Sequence, residues 1–408
     1  MAGADCEVVF GLLSGLTEVL SRWSYEGTAR AGSIVARVAD RYGVSATVVF
    51  LADGAVLTVE GRTVACSAVP EVPPLHRVSE LKRLLAAIDG GALPAAAAAD
   101  RLAALRRAAP PFWDGWRVPG VALFSAGFGV SVQSTWQEVA ASAGCGAAVG
   151  VLILASATRP RLALLAPLLA SVGVSTAVLF AVQHGLLTGG PIQLLVPALF
   201  YFIPGDALAA AMLELAAGRV TAGAARLVSS ATALLMLGFG ALIATVLAGV
   251  PAAALFDTGV PADLGLVAAC AGWVAFAVGV MLTFAMAPAD FPWALALILA
   301  TAGLTALASA ALGDPLGTFA GAAAMTALAL TLGRRPTLPP AYVLYLGAFY
   351  VLTPGSHGLR GIESWIGGHR VQGAASVADM VSLLTALAVG MLLGAVTATQ
   401  ADRFSRAR

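Results

Sequence analysis

The sequence predicts an all-helical membrane domain of ten transmembrane helices, arranged as a 5+5 inverted repeat, behind a small α+β domain. Composition is the first reason, because 59% of the residues are hydrophobic and only 11% are charged, which is not typical of a water-soluble globular protein. The distribution of charge is the second. Of the 23 basic residues, 11 lie in residues 1–108, and none of the 12 that follow is a lysine. The chain therefore divides into a soluble part and a membrane part.

The third reason is a motif that occurs twice. The segment 191–205 comes back as the segment 340–355, and each copy is an apolar stretch that ends in Pro-Gly. The matching residues are Pro191, Leu195, Phe200 and Tyr201 in the first copy, and Pro340, Leu344, Phe349 and Tyr350 in the second. Short apolar segments interrupted by Pro or Gly at corresponding places of two halves indicate the binding site of a transporter.

Residues 1–112 are predicted to form the α+β domain, on the cytoplasmic side. Apolar periodicity predicts helices over 7–20, 26–42, 78–88 and 94–108, and strands over 46–51, 55–59 and 63–67. Asp53-Gly54 is a typical hairpin turn between the first two strands. The domain has no nucleophile-and-base pattern and no glycine loop that could cradle a phosphate, so a regulatory or assembly role is favoured over catalysis.

Ten apolar segments follow, five in residues 113–260 and five in residues 261–400, before a tail at 401–408. Their predicted spans are 117–133, 138–157, 162–184, 190–204, 222–249, 263–286, 291–312, 315–333, 340–353 and 375–397. The fourth and ninth are too short for the ~20 residues that a spanning helix needs. Each continues past Pro-Gly into a second piece, 206–217 or 356–367. These pieces either complete a broken membrane helix or lie flat on the membrane surface.

Arginine predicts the orientation. With the N-terminal domain in the cytoplasm, ten arginines of the membrane part fall inside and only Arg360 and Arg370 fall outside, as the positive-inside rule requires. Both termini are then cytoplasmic. The two motif copies are five segments apart, an odd number, so the two halves must be inverted relative to each other.

Several motifs resemble the bacterial threonine/serine exporter family. They are the stretch 197–240, with Pro-Ala-Leu-Phe-Tyr-Phe-Ile-Pro-Gly-Asp at its start, Gly127-Phe-Gly in the first segment, and 25–43 in the soluble domain. The resemblance extends over nearly the whole chain and is looser in the second half. It implies an inner-membrane secondary exporter of threonine and serine driven by the proton motive force. Split-chain relatives that export succinate leave the substrate open.

The substrate-binding residues are expected around the two breaks and in the first segment. They are Pro204, Gly205, Asp206, Pro354, Gly355, Ser125, Gly127 and Gly129. Ser125 could ligate substrate or bond within its helix, and the two glycines of the first segment could admit substrate or pack helices.

Ionisable groups in a membrane point to function, so Asp206, Glu214 and Asp379 are the proton-coupling candidates. Asp206 could equally be a helix N-cap, and Glu214 could form a structural pair with Arg226. His357, Arg360 and Glu363 crowd the second copy, either as a surface or as a proton relay.

The resulting prediction is a proton-coupled exporter of a small polar amino acid, threonine or serine. A dicarboxylate exporter is the alternative within transport, and a membrane-embedded sensor with a cytoplasmic signalling domain is the alternative of another class. An intramembrane enzyme is disfavoured. The expected partners are the substrate, protons and the lipid bilayer, and the sequence leaves open whether the chain forms a homo-oligomer. No cofactor, metal or nucleic acid is expected, because the four cysteines have no ligand spacing and basic residues do not cluster.

Overall fold

The described residues of the N-terminal domain form four helices and a three-stranded sheet. The computed structural model describes residues 3–23, 27–51, 54–67, 72–91, 93–216, 218–256, 264–352 and 354–406. Within this domain the elements are α1 (Gly3–Arg22), α2 (Thr28–Arg41), β1 (Ala46–Leu51), β2 (Gly54–Val59), β3 (Arg62–Ser67), α3 (Leu75–Asp89) and α4 (Ala95–Arg107). The strands form an antiparallel meander in the order β1-β2-β3. Of the predicted turn, Asp53 lies outside the described residues, and Gly54 opens β2.

This domain has a hydrophobic core of its own. The core is built from one face of each helix and the inward face of the sheet, with Leu13, Val35 and Leu57 fully buried. Alternation in β2 places Leu57 and Val59 inside, as expected for a strand with one covered face. A second core comprises residues of the helices after residue 117, together with Leu75 from the start of α3.

Twelve α-helices follow residue 116 in the described part of the chain. They are α5 (Arg117–Gly129), α6 (Trp136–Ser156), α7 (Pro160–Gln183), α8 (Pro191–Leu199), α9 (Gly205–Ala216), α10 (Val220–Leu247), α11 (Leu266–Thr283), α12 (Phe291–Leu312), α13 (Asp314–Gly333), α14 (Ala341–Val351), α15 (Pro354–Ile366) and α16 (Arg370–Arg406). Each predicted apolar segment is helical, and the two post-break pieces are α9 and α15. The last helix runs into the predicted tail, as far as Arg406.

Seven helices in the described part of the chain are long and apolar enough to cross a membrane, or eight when a bent pair counts as one span. The bent pair is Pro191–Phe202 with Gly205–Leu215, at an angle of 67°. Among the ten predicted segments, the helices α5, α8 and α14 are too short to cross a membrane on their own. The structure is thus mostly helical and multi-pass, with a small sheet at its N-terminal end.

Helices α5 and α11 are in backbone contact and run antiparallel. A Cβ on Gly127 would lie 2.5 Å from the carbonyl oxygen of Gly272, and one on Gly279 would lie 2.8 Å from that of Gly120. Both helices therefore carry two glycines seven residues apart that face the other helix. Small residues permit this close approach, which is a common way for membrane helices to associate.

The two halves also contact each other in matching pairs. Helix α9 packs against α10 in the first half, as α15 packs against α16 in the second. Across the halves, α10 contacts α15, and α16 contacts α9. Each post-break helix is therefore held by the last helix of both halves.

The N-terminal domain docks on one end of this bundle. The backbone N–H groups of Leu75 and His76 donate to the carbonyls of Phe284 and Ala285 at 2.8 and 3.1 Å. Ser79 donates to Asp290 at 2.6 Å. The α11–α12 loop therefore receives the start of α3.

Candidate functional site

The two Pro-Gly breaks lie against each other. A Cβ added to Gly355 would lie 2.6 Å from Cγ2 of Ile203 and 3.1 Å from Cα of Gly205. From the other side, a Cβ on Gly205 would come within 4.0 Å of the backbone nitrogen of Gly355. The glycines of the two breaks are therefore in contact.

The first break follows from its prolines. Pro191 opens α8, where its missing N–H costs nothing, and Pro197 lies inside the helix, where it removes a backbone hydrogen bond. The chain then tightens into a 3₁₀ turn over Phe200–Phe202. Ile203 is extended, and the N–H of Gly205 donates to its carbonyl at 2.8 Å. Helix α9 therefore begins after the break, and its first N–H groups lie beside Gly355.

Asp206 lies in the first turn of α9, beside the break. Its carboxylate accepts hydrogen bonds from backbone N–H groups of that turn, and a carboxylate there is stabilised by the helix dipole. Its Oδ2 is buried and has no hydrogen-bond partner among the described residues. Arg226 on α10 is close enough for a favourable Coulomb interaction. Asp206 therefore lies at the start of α9, as a capping residue does, and its Oδ2 can accept a further hydrogen bond.

Aromatic rings pack around the breaks and connect the two motif copies. Phe200 stacks on Phe128 of α5 with ring centroids 4.0 Å apart. Phe200 also meets Tyr350 of the second copy, edge to face, at 5.4 Å. Phe124 of α5 lies 5.3 Å from each of these two rings. The repeated Phe and Tyr positions of the motif thus form a shared core beneath the glycine contact.

The candidates of α5 are placed at helix interfaces. Ser125 is fully buried, and its hydroxyl faces Gly146 of α6. Gly127 faces the backbone of α11, while a Cβ on Gly129 would meet the side chain of Gln133. Ser125 and Gly127 therefore face neighbouring helices, whereas Gly205, Asp206 and Gly355 meet at the breaks.

Glu214 lies at the other end of α9 and contacts the N-terminal domain. Its carboxylate accepts the backbone N–H of Thr28 at 2.8 Å and the Thr28 hydroxyl at 3.2 Å. Arg219 donates to the same hydroxyl. Glu214 is buried, with 4% of its surface exposed. Because the N-cap residue of α2, Gly27, has no side chain, the Glu214 carboxylate of α9 caps the N-terminus of α2 instead.

Asp379 lies apart from the other candidates. It is nine residues into α16 and on the exposed face of that helix. The structure therefore does not bring Asp379 to the glycine contact.

Glu363 is a buried carboxylate outside the predicted set of site residues. It lies on α15 with no exposed surface, next to the fully buried Ser364. The signal available in the sequence was a lone acid inside the second broken helix. That signal is ambiguous, since the same stretch carries His357 and Arg360 and could equally be a polar surface.

A paired helix break inside a multi-pass bundle is the arrangement expected of a membrane transporter. The family model described as "ThrE: Putative threonine/serine exporter" matches residues 24–248. This match covers more than half of the chain, so the chain belongs to the threonine/serine exporter family. It spans most of the N-terminal domain and the helices through α10, including the first break. No curated protein and no solved structure matches the chain.

Proposed function

We propose that this protein is a proton-coupled secondary exporter of a small polar amino acid, threonine or serine. The observation that supports this most strongly is the contact between Gly205 and Gly355. Two helix breaks that meet inside a bundle bring the N–H and C=O groups of helix ends to the same volume. Such groups suit a zwitterion, because helix N-termini attract a carboxylate and free carbonyls attract an ammonium group.

The bundle is proposed to be a 5+5 inverted repeat that works by alternating access. The antiparallel packing of α5 on α11 supports this, because these are the first helices of the two halves. So does the exchange of neighbours, in which α9 contacts α16 and α15 contacts α10. Inverted repeats allow the two halves to exchange conformations and so to open the site to either side.

In this proposal the side that carries the N-terminal domain is the cytoplasmic side of the inner membrane. That domain contacts the end of α9, the α11–α12 loop and the α13–α14 loop. Arg219, Arg334 and Arg335 lie at those connections, and an excess of arginine is typical of cytoplasmic loops. Export would thus start from the end of the bundle that the domain covers.

Asp206 is the proposed proton carrier, because it is an ionisable group one residue from the glycine contact and its Oδ2 has no partner among the described residues. Glu214 is less suited to that role while its carboxylate holds Thr28. A charged carboxylate is costly in an apolar membrane interior, so a buried carboxyl group tends to take up a proton there and to release it when water reaches it.

Counterflow in proteoliposomes tests the substrate. Vesicles loaded with unlabelled threonine should accumulate labelled threonine or serine, and an imposed proton gradient should increase the flux. Labelled succinate in the same assay tests the dicarboxylate alternative. Absence of flux for all three compounds would contradict the transport proposal and favour a sensor.

A further inference from the structure

A short segment covers the end of the bundle opposite the N-terminal domain. It comprises residues 251–256, which we call the strap, and it includes a 3₁₀ turn at Ala252–Ala254. Helix α10 begins beside the domain at Arg219, whose side chain donates to Thr28. The 28 residues of α10 rise by about 1.5 Å each, so the helix ends roughly 40 Å away, just before the strap. The strap therefore lies at the far end of the bundle.

The strap joins the start of α8 to the turn that follows α15. Its Phe256 carbonyl accepts the backbone N–H of Ile192, the second residue of α8, at 3.3 Å. On its other side, Nε2 of His369 donates to the carbonyl of Ala253 at 3.2 Å. Helices α8 and α15 also contact each other. The strap thus spans one end of the contact between the two broken helices.

The strap also fits closely against the end of α15. A Cβ on Gly367 would lie 2.5 Å from the carbonyl oxygen of Leu255 and 3.0 Å from that of Ala252. The Leu255 side chain is fully buried in the core of the bundle. A solute cannot pass between the strap and the end of α15 in this arrangement, so the far end is closed there.

The N-terminal domain joins the complementary pair of helix ends. Its Thr28 contacts Glu214 near the end of α9. Its Lys82 donates to the carbonyls of Leu338 and Pro339, just before α14, at 2.7 and 3.4 Å. The domain therefore bridges α9 and α14 at the near end, as the strap bridges α8 and α15 at the far end.

The turns that follow α9 and α15 have the same hydrogen bonds. The N–H of Arg219 donates to the Glu214 carbonyl at 2.8 Å, and the N–H of His369 donates to the Ser364 carbonyl at 2.9 Å. The glycine before each donor has a positive φ, 76° in the first turn and 86° in the second. Arg219 and His369 thus hold corresponding positions, and their side chains contact the domain and the strap, respectively.

We propose that the strap is the gate through which substrate leaves the bundle, and that His369 is its latch. This inference rests on the proposed transport function, since only a transported substrate needs an exit at the far end. A solute released at the glycine contact would reach that end between α8 and α15, the two helices that the strap joins. Short irregular segments open at a lower free energy than helices do. Opening of the strap then alternates with undocking of the N-terminal domain.

The first test measures how often the strap opens. It uses the full chain in nanodiscs, with the native cysteines replaced by alanine and Leu255→Cys as the reporter. A soluble maleimide should label this cysteine slowly, because it reacts only when the strap is open. His369→Ala should raise the labelling rate about two- to tenfold, since it removes one hydrogen bond of the closed strap.

Two matched controls accompany this measurement. Leu237→Cys replaces a fully buried leucine of α10 and should stay unlabelled with or without His369→Ala. His184→Ala removes an exposed histidine whose ring contacts its own helix at Phe180, and it should leave the labelling rate of Leu255→Cys unchanged.

The second test locks the strap. Ala253→Cys and His369→Cys in one chain, bridged by a reducible bifunctional maleimide, should stop counterflow of labelled threonine, and reduction should restore it. Each single-cysteine variant, treated in the same way, should keep its flux.

Three results would overturn the proposal. Equally negligible labelling of Leu255→Cys and Leu237→Cys would make the strap a fixed part of the bundle. Equal acceleration by His369→Ala and His184→Ala would deny His369 its role as the latch. Full counterflow by the cross-linked chain would place the strap away from the exit. Labelling needs no substrate, so a chain without any flux would contradict the proposed function while labelling still showed whether the strap opens.

Discussion

The carboxylate of Glu214 caps helix α2 across the boundary between the two domains, with the Thr28 N–H 2.8 Å away. Glu214 belongs to α9, the helix that begins at the first Pro-Gly break. The N-terminal domain is thus hydrogen-bonded to a helix that moves in the proposed alternating-access cycle. Undocking of the domain and movement of α9 should therefore be linked.

Glu214→Gln should weaken docking, because a charged acceptor at a helix N-terminus is replaced by a neutral one. Loss of a hydrogen bond to a charged group costs about 1.5–3 kcal/mol. Amide hydrogen exchange at residues 28–31 should accelerate, while exchange in the core of the N-terminal domain stays the same. Asp100→Asn on the exposed face of α4 is the control. Unchanged protection at 28–31 would show that Glu214 does not hold the domain.

Docking should also depend on pH through His76. Burial lowers the pKa of His76 below its usual 6.5, against a smaller opposing effect of the Ala285 carbonyl; Arg77 lowers the pKa further and Glu80 raises it. The docked state therefore binds fewer protons than the undocked state. Docking should be strongest above pH 6.5 and should weaken as the pH falls towards the lowered pKa.

The measurement for His76 is hydrogen exchange at residues 75–79 between pH 5 and pH 8, corrected for intrinsic rates. His76→Gln keeps hydrogen-bonding capacity but cannot titrate, so its protection should be independent of pH over this range. A variant that kept the wild-type pH dependence would assign the effect to another group.

Gly355→Ala should destabilise the bundle by pushing the two breaks apart. The new methyl would lie 2.6 Å from Ile203 Cγ2 and 3.1 Å from Gly205 Cα, and such overpacking costs about 1–3 kcal/mol. Gly303→Ala on α12 is the matched control, because a Cβ there meets nothing within 4 Å and alanine favours helix by about 0.5–1 kcal/mol. In thermal unfolding in detergent, Gly355→Ala should have a lower melting temperature than Gly303→Ala. Equal melting temperatures would contradict the glycine contact.

Asp206→Asn should abolish proton-driven export, since the side chain keeps its shape and loses its titratable group. Exchange of labelled threonine without a gradient should persist if Asp206 only carries the proton. Asp379→Asn, on the exposed face of α16, should transport like the wild type. The reverse pattern would move proton coupling to Asp379.

Topology is tested with reporters fused before Met1 and after Arg408. Both should report the cytoplasm, because an even number of membrane crossings separates them in the proposed arrangement. A periplasmic C-terminus would mean an odd number of crossings and would remove the basis of the inverted repeat.

Sequence reasoning located the helices well, because their signals are local. The predicted segment 291–312 is α12 to the residue, and the two post-break helices begin within two residues of the predicted starts. Ser125 and Glu214 show the limit of such reasoning. Their surroundings come from Gly146, 21 positions away, and from Thr28, 186 positions away. Contacts of that separation leave no periodicity, so the docking of the N-terminal domain could not be foreseen.

In the seam between α5 and α11, main chain lies against main chain at Gly127 and at Gly279. Such a seam can rotate only slightly before atoms collide. Spin labels on the lipid-facing sides of α5 and α11 should therefore keep one separation throughout a transport cycle. Pairs on α9 and α16, and on α10 and α15, should change in opposite senses. The distance across the glycine seam is thus a constant reference distance for spectroscopy on this protein.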